Sequence, residues 1–355
     1  MQERVILMDL DKKKVLIGFS GGVDSTASAI LLRERGFDVH GIFFNVFGKE
    51  TDTQKRAQAV ARKLEMPLIT LDISKYFKQK IMDYFYEEYT KGRTPNPCVQ
   101  CNKHVKFSLM LEQARKINAY FIATGHYARI QFDESINKYI IRKPAALYKD
   151  QTYMLYNLNQ DMLKHIILPL GDMISKDKVR EMVSLHDLPN AQTKDSQEIC
   201  FIQDDDYIRF IRENYDYKPQ KGNFIDIKGS ILGTHSGIIN YTIGQRKGLG
   251  IALGKPAYVT HIDSENNTVT LGNNEELFTD TVFSKDNNFI HISLNGAIEA
   301  QVKIRYSAKP AKAIVSAEKN GILKTVFNTP QRAATPGQSI VFYDNDILLG
   351  GGTIL

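Results

Sequence analysis

A short apolar run, Lys14–Phe19, leads into Gly18-Phe19-Ser20-Gly21-Gly22-Val23-Asp24-Ser25, and a helix pattern follows from Asp24 to Arg35, closed by Gly36. A buried strand that becomes a helix through such a loop admits few folds. The glycines let the backbone turn tightly and aim several N–H groups into one concavity at a helix N-terminus, where an anion is held. Ser20 and Ser25 add hydroxyl donors. Asp24 repels bare phosphate, so its natural roles are to hold a metal or to cap the helix. The spacing is neither G-x-x-x-x-G-K-[ST] nor G-x-G-x-x-G, which excludes a Walker loop and the dinucleotide fingerprint. The bland rival is a plain strand-to-helix turn with Asp24 as N-cap.

The first 200 or so residues alternate strand and helix patterns. His40–Phe47, Pro67–Ile73 and Ala119–Thr124 read as further strands. Thr51–Leu64 reads as an amphipathic helix, because Ala57, Val60, Ala61 and Leu64 recur at helical spacing, as do Phe107, Met110, Leu111 and Ala114. Such alternation predicts an α/β domain with a parallel sheet and helices on both faces. After about Phe201 the pattern changes. Tyr258–Ile262 and Thr268–Leu271 flank a turn signal, Ile298–Ile304 alternates, and Ala313–Glu318 meets Ile322–Phe327 through Asn320-Gly321, a favoured hairpin pair. Ser339–Tyr343 and Ile347–Leu348 make another pair. Short antiparallel strands of this kind predict a small C-terminal barrel. The expected division is a catalytic domain over 1–205, a central domain over 206–280 and the barrel over 281–355.

Composition narrows the class. With 43% apolar and 24% charged residues among 355, the chain reads as an ordinary globular protein. No apolar run nears the roughly 18 residues of a membrane helix, and the first residues do not read as a secretory signal. Three cysteines fit a reducing cytosol better than a disulfide framework. A net charge of +6 leans toward a polyanionic partner.

Two of those cysteines lie in Arg93-Thr94-Pro95-Asn96-Pro97-Cys98-Val99-Gln100-Cys101-Asn102-Lys103-His104. The prolines make a stiff approach, and Asn102 or a neighbour is expected to cap the helix that carries Phe107 to Ala114. A thiol at a helix start, beside Lys103 and His104, gains thiolate character. The third thiol, Cys200, lies in Lys194–Ile202. Four readings stand open from the residues alone. They are a zinc site completed by His104 or His126, inert thiols, a sulfur-carrying redox pair of Cys101 and Cys200, and an iron–sulfur cluster on all three thiolates.

The glycine loop resembles the pyrophosphate (PP) loop of adenine-nucleotide alpha-hydrolase-like, Rossmann-like enzymes, which split ATP between the α and β phosphates and pass AMP to an oxygen. The whole chain resembles one family of them, the tRNA-specific 2-thiouridylases (MnmA). The strings that carry the likeness are GFSGGVDS at 18–25, TPNPCVQCNKHVKF at 94–107, ATGHYAR at 123–129, KDQTYMLY at 149–156, KDSQEICFI at 194–202, YTIGQRKGLGI at 241–251 and IRY at 304–306.

The resemblance implies a cytoplasmic enzyme that uses ATP and Mg2+ to adenylate the wobble uridine of tRNA and then replaces its 2-oxygen with sulfur. Nucleotide contacts fall on Gly18, Phe19, Ser20, Gly21, Gly22, Val23, Asp24, Ser25, Phe44 and Gly125. Cys101 matches the nucleophile and Cys200 the persulfide carrier. Asn96, Pro97 and Cys98 match the contact to the target base. Lys149, Asp150, Gln151, Arg305 and Tyr306 match tRNA contacts. The sulfur donor implied is a cysteine desulfurase or a relay protein, and the tRNAs are those for lysine, glutamate and glutamine. Many members have Asp where this chain has Cys98. That departure favours a 4Fe-4S cluster on Cys98, Cys101 and Cys200 over a persulfide route. The rival functions are a small-molecule amide-forming ligase with the same loop, and an RNA-binding protein with a relic loop. His126 reads first as a satisfied core histidine.

Overall fold

Along Asp11–Gly18 (β1), Val15 and Ile17 face one way and Leu16 the other, and all three are fully buried. Such a strand has to be covered on both faces. The computed structural model describes residues 10–186, 188, 190, 199–202, 204 and 206–355. Residues 1–9 of the expected non-signal start, and Lys194–Glu198 of the string around Cys200, lie outside the described residues.

The chain forms two units. The first takes in Met1–Lys80, Val99–Gln197 and Asp346–Leu348. Its centre is a parallel sheet of β1, Asp38–Asn45 (β2), Leu68–Asp72 (β3), Ala119–Ala123 (β4) and Ile166–Ile167 (β7), in the order β3-β2-β1-β4-β7. A hairpin of Arg129–Asp133 (β5) and Lys138–Arg142 (β6) lies between β4 and β7 in sequence and pairs with Ile347 and Leu348. Val15 and Ile17 pack into one cluster with Ala27 and Ile30 of Val23–Glu34 (α1), Ala57 and Val60 of Asp52–Lys63 (α2), and Val179 and Val183 of Lys176–Ser184 (α4). On the other face Ser108–Lys116 (α3) brings Met110 against Gly18. Truncating a core residue such as Ile17 to alanine costs about 2–5 kcal/mol.

The expected strands and helices of this region appear with ends shifted by at most three residues. Thr51 accepts a hydrogen bond from Gln54 N, which is why α2 starts where it does. The helix over Phe107–Ala114 differs from expectation. It has no cap at Asn102. The helical path begins at Pro97–Cys101, widens through Asn102–Phe107 and continues as α3. Proline suits a first helical position, since its missing N–H has no intrahelical acceptor.

The second unit takes in Ile81–Cys98, Glu198–Asn345 and Leu349–Leu355. The glycine-rich middle stretch, which has no clear periodicity, folds into a sheet of Gly222–Ile225 (β8), Ile231–His235 (β9), Tyr258–Asp263 (β10) and Thr268–Gly272 (β11). Phe224, Val259 and Val269 are fully buried there. The C-terminal strands are Phe278–Phe289 (β12), Ala297–Lys303 (β13), Ala311–Ala317 (β14), Leu323–Arg332 (β15), Ser339–Asp344 (β16) and Ile347–Ile354 (β17). They run β12-β15-β14-β13-β16-β17, and β12 pairs with β17 to close an antiparallel barrel. The expected Asn320-Gly321 turn has both residues at positive φ, 59° and 72°.

Candidate active site

In an all-parallel sheet the strands end on the same edge. Here β1 lies between β2 and β4, so the connections leave it in opposite directions. A crevice opens at such a reversal, outside the carboxyl ends of the strands. The topology therefore brings together three segments that sequence keeps apart: Gly18–Ser25 after β1, Phe44 at the end of β2, and Thr124-Gly125-His126 after β4.

The loop is built as an anion cradle. Gly22 is the N-cap of α1, with extended backbone (φ −85°, ψ 168°) and no side-chain cap. The Ser25 hydroxyl donates to Gly22 O at 3.1 Å, Ser20 Oγ accepts from Gly22 N at 3.3 Å, and the two hydroxyls lie 3.3 Å apart. Gly21 has φ +68°, and a Cβ there would sit 2.6 Å from Ala57 Cα. Only glycine meets both demands. Phe19 and Val23 are buried, at 1% and 3% exposure, so they offer the crevice backbone rather than side chains.

Asp24 is not the helix cap, since Gly22 holds that position. Its Oδ1 accepts from the Tyr127 hydroxyl at 2.8 Å and from Lys176 Nζ at 2.6 Å. The sequence reading missed Lys176, because nothing in its local pattern marks it. It missed Asn190 as well. That fully buried amide donates to Gly21 O at 2.9 Å and to Thr26 Oγ1 at 2.8 Å, tying the loop down from 169 residues away.

Gly125 meets the loop from the other side. A Cβ on it would lie 3.0 Å from the carbonyl carbon of Asp24. His126 is buried, stacks on Phe107 with centroids 5.8 Å apart, and has Nδ1 2.7 Å from Thr124 Oγ1. Burial, and then the nearby Lys106, hold its pKa well below the usual histidine range. It is a neutral core histidine. Tyr127 is clamped from Gln151, whose Oε1 accepts Tyr127 N at 2.9 Å while its own N–H donates to Tyr127 O at 3.1 Å. Asp150 Oδ1 accepts from the backbone N–H and hydroxyl of Thr152, so both side chains shape the turn that carries Lys149. Lys149 itself is half-buried.

Cys98 is exposed in the first turn of its helix and Cys101 is half-buried one turn on. Asn96 is half-buried and Pro97 buried. Asn102 donates to Met154 O at 2.9 Å and so anchors the helix behind Cys101. His104 has its pKa lowered by burial and then by Lys103 and Lys80.

Cys200 is exposed at a tight turn in which Ile202 N donates to Ile199 O. Its neighbour Phe201 is 4% exposed and meets Phe85 edge-on at 5.4 Å and Phe210 at 5.1 Å. An aromatic core thus holds the turn and presents the thiol. In the same core the Tyr215 hydroxyl donates to Asp83 at 2.8 Å, and burial with that carboxylate pushes its pKa upward. Among the described residues no three His, Cys, Asp or Glu side chains gather as a metal-binding group.

Tyr306 is 42% exposed, with Lys303 Nζ 5.6 Å from its ring centre, so it is not barrel core. Arg305 donates to the carbonyls of Arg332 and Ala333. Tyr241–Ile251 and the residues after it border a cleft of 490 Å³ lined by Arg246, Leu249 and Lys255 among others. Among the described residues no helix is long and apolar enough to cross a membrane.

Three family models match in succession. Their descriptions are tRNA methyl transferase HUP domain over 13–204, tRNA methyl transferase PRC-barrel domain over 209–273, and aminomethyltransferase beta-barrel domain over 279–354. Curated relatives match from end to end. The tRNA-specific 2-thiouridylase MnmA 1 of Thermoanaerobacter sp. (strain X514) is 48% identical, covering 96% of this chain and 97% of its own. The enzyme of Acetivibrio thermocellus is 47% identical, covering 97% and 100%. That of Clostridium tetani is 50% identical, covering 97% of each.

The chain belongs to the tRNA-specific 2-thiouridylase (MnmA) family. The model descriptions speak of methyl transfer, but the relatives that match over the whole length are thiouridylases. Each string behind the expected MnmA likeness has described residues in the fold, and the parallel-sheet domain and closed barrel of the MnmA resemblance are both present.

Proposed function

We propose that this MnmA enzyme thiolates the wobble uridine of tRNA by adenylating its 2-oxygen at the Gly18–Ser25 loop and displacing AMP with sulfur carried on Cys200. The observation that carries the nucleotide half is the convergence of the loop, Gly125 and Asp24 at the sheet reversal. Backbone N–H groups and the hydroxyls of Ser20 and Ser25 receive the phosphates, and Phe44 borders the adenine. Asp24 keeps 34% of its side-chain surface exposed. It is an oxygen donor of the kind magnesium takes, so it would hold a magnesium ion that neutralises phosphate charge.

The uridine leaves its stack, as base-modifying enzymes require. Its O2 bonds to the α-phosphorus, the N3 proton departs, and the bond to the bridging oxygen breaks with release of pyrophosphate. The terminal sulfur of a Cys200 persulfide adds at C2, and AMP leaves with the former O2. The Cys101 thiolate then attacks Sγ of Cys200. A Cys101–Cys200 disulfide forms, the transferred sulfur stays on the base, and N3 regains a proton. A thiol reductant restores the pair, and a cysteine desulfurase or relay protein reloads Cys200. The surface turn at Cys200 suits that handover. No step is routed through an iron–sulfur cluster.

Asn96, Pro97 and Cys98 face the target base. Lys149 pairs with phosphate and the exposed Tyr306 stacks on a base. The tRNAs for lysine, glutamate and glutamine are the substrates, and the cytoplasm is the site of action. Incubation with ATP, tRNA transcript, and a cysteine desulfurase with cysteine as persulfide donor tests the reading. Stoichiometric pyrophosphate and 2-thiouridine support it, whereas pyrophosphate release on adding a small acid without RNA would support the ligase reading instead.

A further inference from the structure

ATP brings several negative charges to a loop that has no positive one. Gly18–Ser25 contains neither lysine nor arginine, and its one charged residue is Asp24. In loops that carry a lysine at their end, that residue meets the phosphates directly. Here the loop itself offers amide dipoles and two hydroxyls, and its carboxylate counters phosphate charge only through a magnesium ion it would hold. The fold supplies a cation from elsewhere. Lys176 lies 152 positions beyond Asp24 and places Nζ 2.6 Å from Asp24 Oδ1. Its side chain is only 8% exposed, against 34% for Asp24.

That position is built rather than incidental. Lys176 opens α4, whose preceding Ser175 accepts from Lys178 N. Val179 and Val183, three and seven positions on, are fully buried in the cluster that includes Ala27 and Ile30 of α1. The same face of α4 therefore packs on α1 and aims Lys176 at the start of α1. The backbone N–H of Lys176 also donates to the Tyr148 hydroxyl at 2.8 Å.

We propose that Lys176 is a catalytic residue that binds the phosphates of ATP at this loop, with Asp24 as the positioning residue that holds the ammonium in place before the nucleotide arrives. The proposal rests on the reading of Gly18–Ser25 as the nucleotide site. An ammonium has three donors, so it can keep Asp24 and also reach phosphate oxygen. It neutralises charge as pyrophosphate leaves and transfers no proton.

A purely structural role is the rival: Lys176 would merely offset the charge of the partly exposed Asp24. A variant pair separates the two. Asp24→Asn removes that charge, and with it a role confined to offsetting Asp24. ATP affinity is measured by calorimetric titration for wild type, Asp24→Asn and Asp24→Asn/Lys176→Gln, with thermal unfolding and tRNA affinity as checks on folding. Adding Lys176→Gln is expected to weaken ATP binding a further tenfold or more, and Asp24→Asn/Lys176→Arg to recover part of it. Equal ATP affinity in the single and double variants would overturn the proposal. Wild type that binds no ATP would instead overturn the nucleotide-site reading on which it stands.

Discussion

A Cβ placed on Gly125 would lie 3.0 Å from both the carbonyl carbon and the Cβ of Asp24, so the glycine after β4 and the carboxylate that begins α1 fix each other across the mouth of the phosphate loop. The neighbour is helix backbone, which cannot swing aside. Gly125→Ala should therefore shift the start of α1 by a few tenths of an ångström and weaken ATP binding about tenfold while the fold survives. Gly21→Ala meets a harder limit, a φ of +68° and Ala57 Cα at 2.6 Å. Strain and overpacking together should cost about 3 kcal/mol in urea unfolding. Gly22→Ala has Ser20 Oγ at 3.4 Å as its nearest obstacle and should cost less than about 1 kcal/mol. A different stability order between Gly21→Ala and Gly22→Ala would contradict the loop geometry.

In the proposed reaction Cys101 and Cys200 act after the base is activated. Cys101→Ala and Cys200→Ala should each cut 2-thiouridine formation from a persulfide donor at least about a thousandfold, since each removes a covalent step. Both should still release one equivalent of pyrophosphate per enzyme with ATP and tRNA in a quench-flow assay. Loss of that burst would mean that the thiols are needed for adenylation itself. Under anaerobic conditions Cys98→Ala should keep thiolation within about tenfold, because no step passes through it as a cluster ligand. Total loss there would restore the three-thiolate cluster.

Gln151 and Tyr306 are both expected tRNA contacts, yet their surroundings differ. Gln151 holds the backbone of Tyr127, whose hydroxyl reaches Asp24. Tyr306 is 42% exposed on the barrel side of the chain. Tyr306→Ala should weaken tRNA binding about tenfold or more at constant salt, the usual range for a stacking aromatic. Gln151→Ala should instead raise the KM for ATP, with a smaller effect on tRNA affinity. Filter binding and pyrophosphate-release kinetics read the two effects separately.

His104, His126, His165 and His235 all have their pKa lowered, chiefly by burial. Below the ordinary histidine value near 6.5 the unfolded chain takes up protons that the folded chain refuses. The stability present above that pH is lost as pH falls through it toward the depressed folded values. For the buried His126 the loss between pH 7.5 and pH 5.5 should be about 1 kcal/mol. His126→Gln, which keeps a partner for Thr124, should flatten the pH dependence of the unfolding free energy by about that amount. An unchanged slope would mean that His126 is not the depressed group.

Much of this site was legible because its residues act through local patterns. The loop reads as strand, glycines, helix, and the Asn320-Gly321 turn reads from two letters. Lys176 and Asn190 were invisible for a physical reason. Their partners lie 152 and 169 positions away, and only the packing of α4 and the chain beyond it on α1 brings them in. Asp24 looked like a cap because Asp favours that place, but Gly22 takes it with extended backbone and leaves Asp24 one step inside the helix. Asn102 looked like a helix start because a polar residue stood before an apolar run. The proline five residues earlier begins the helix instead, and Asn102 turns inward to Met154 O. In the middle sheet the β10–β11 hairpin reads from its turn signal, but β8 and β9 escaped, because β11 pairs with β8 in parallel across a long separation, a register that periodicity does not encode.

In the proposed reaction the uridine 2-oxygen is the atom that receives AMP. The direct measurement uses tRNA with 18O at the 2-carbonyl of the wobble uridine, incubated with the enzyme, ATP, and a cysteine desulfurase with cysteine as persulfide donor, followed by mass spectrometry of the nucleotides. The account predicts one 18O in the AMP released and none in pyrophosphate, with 2-thiouridine formed in equal amount. Unlabelled AMP accompanied by 2-thiouridine would contradict it.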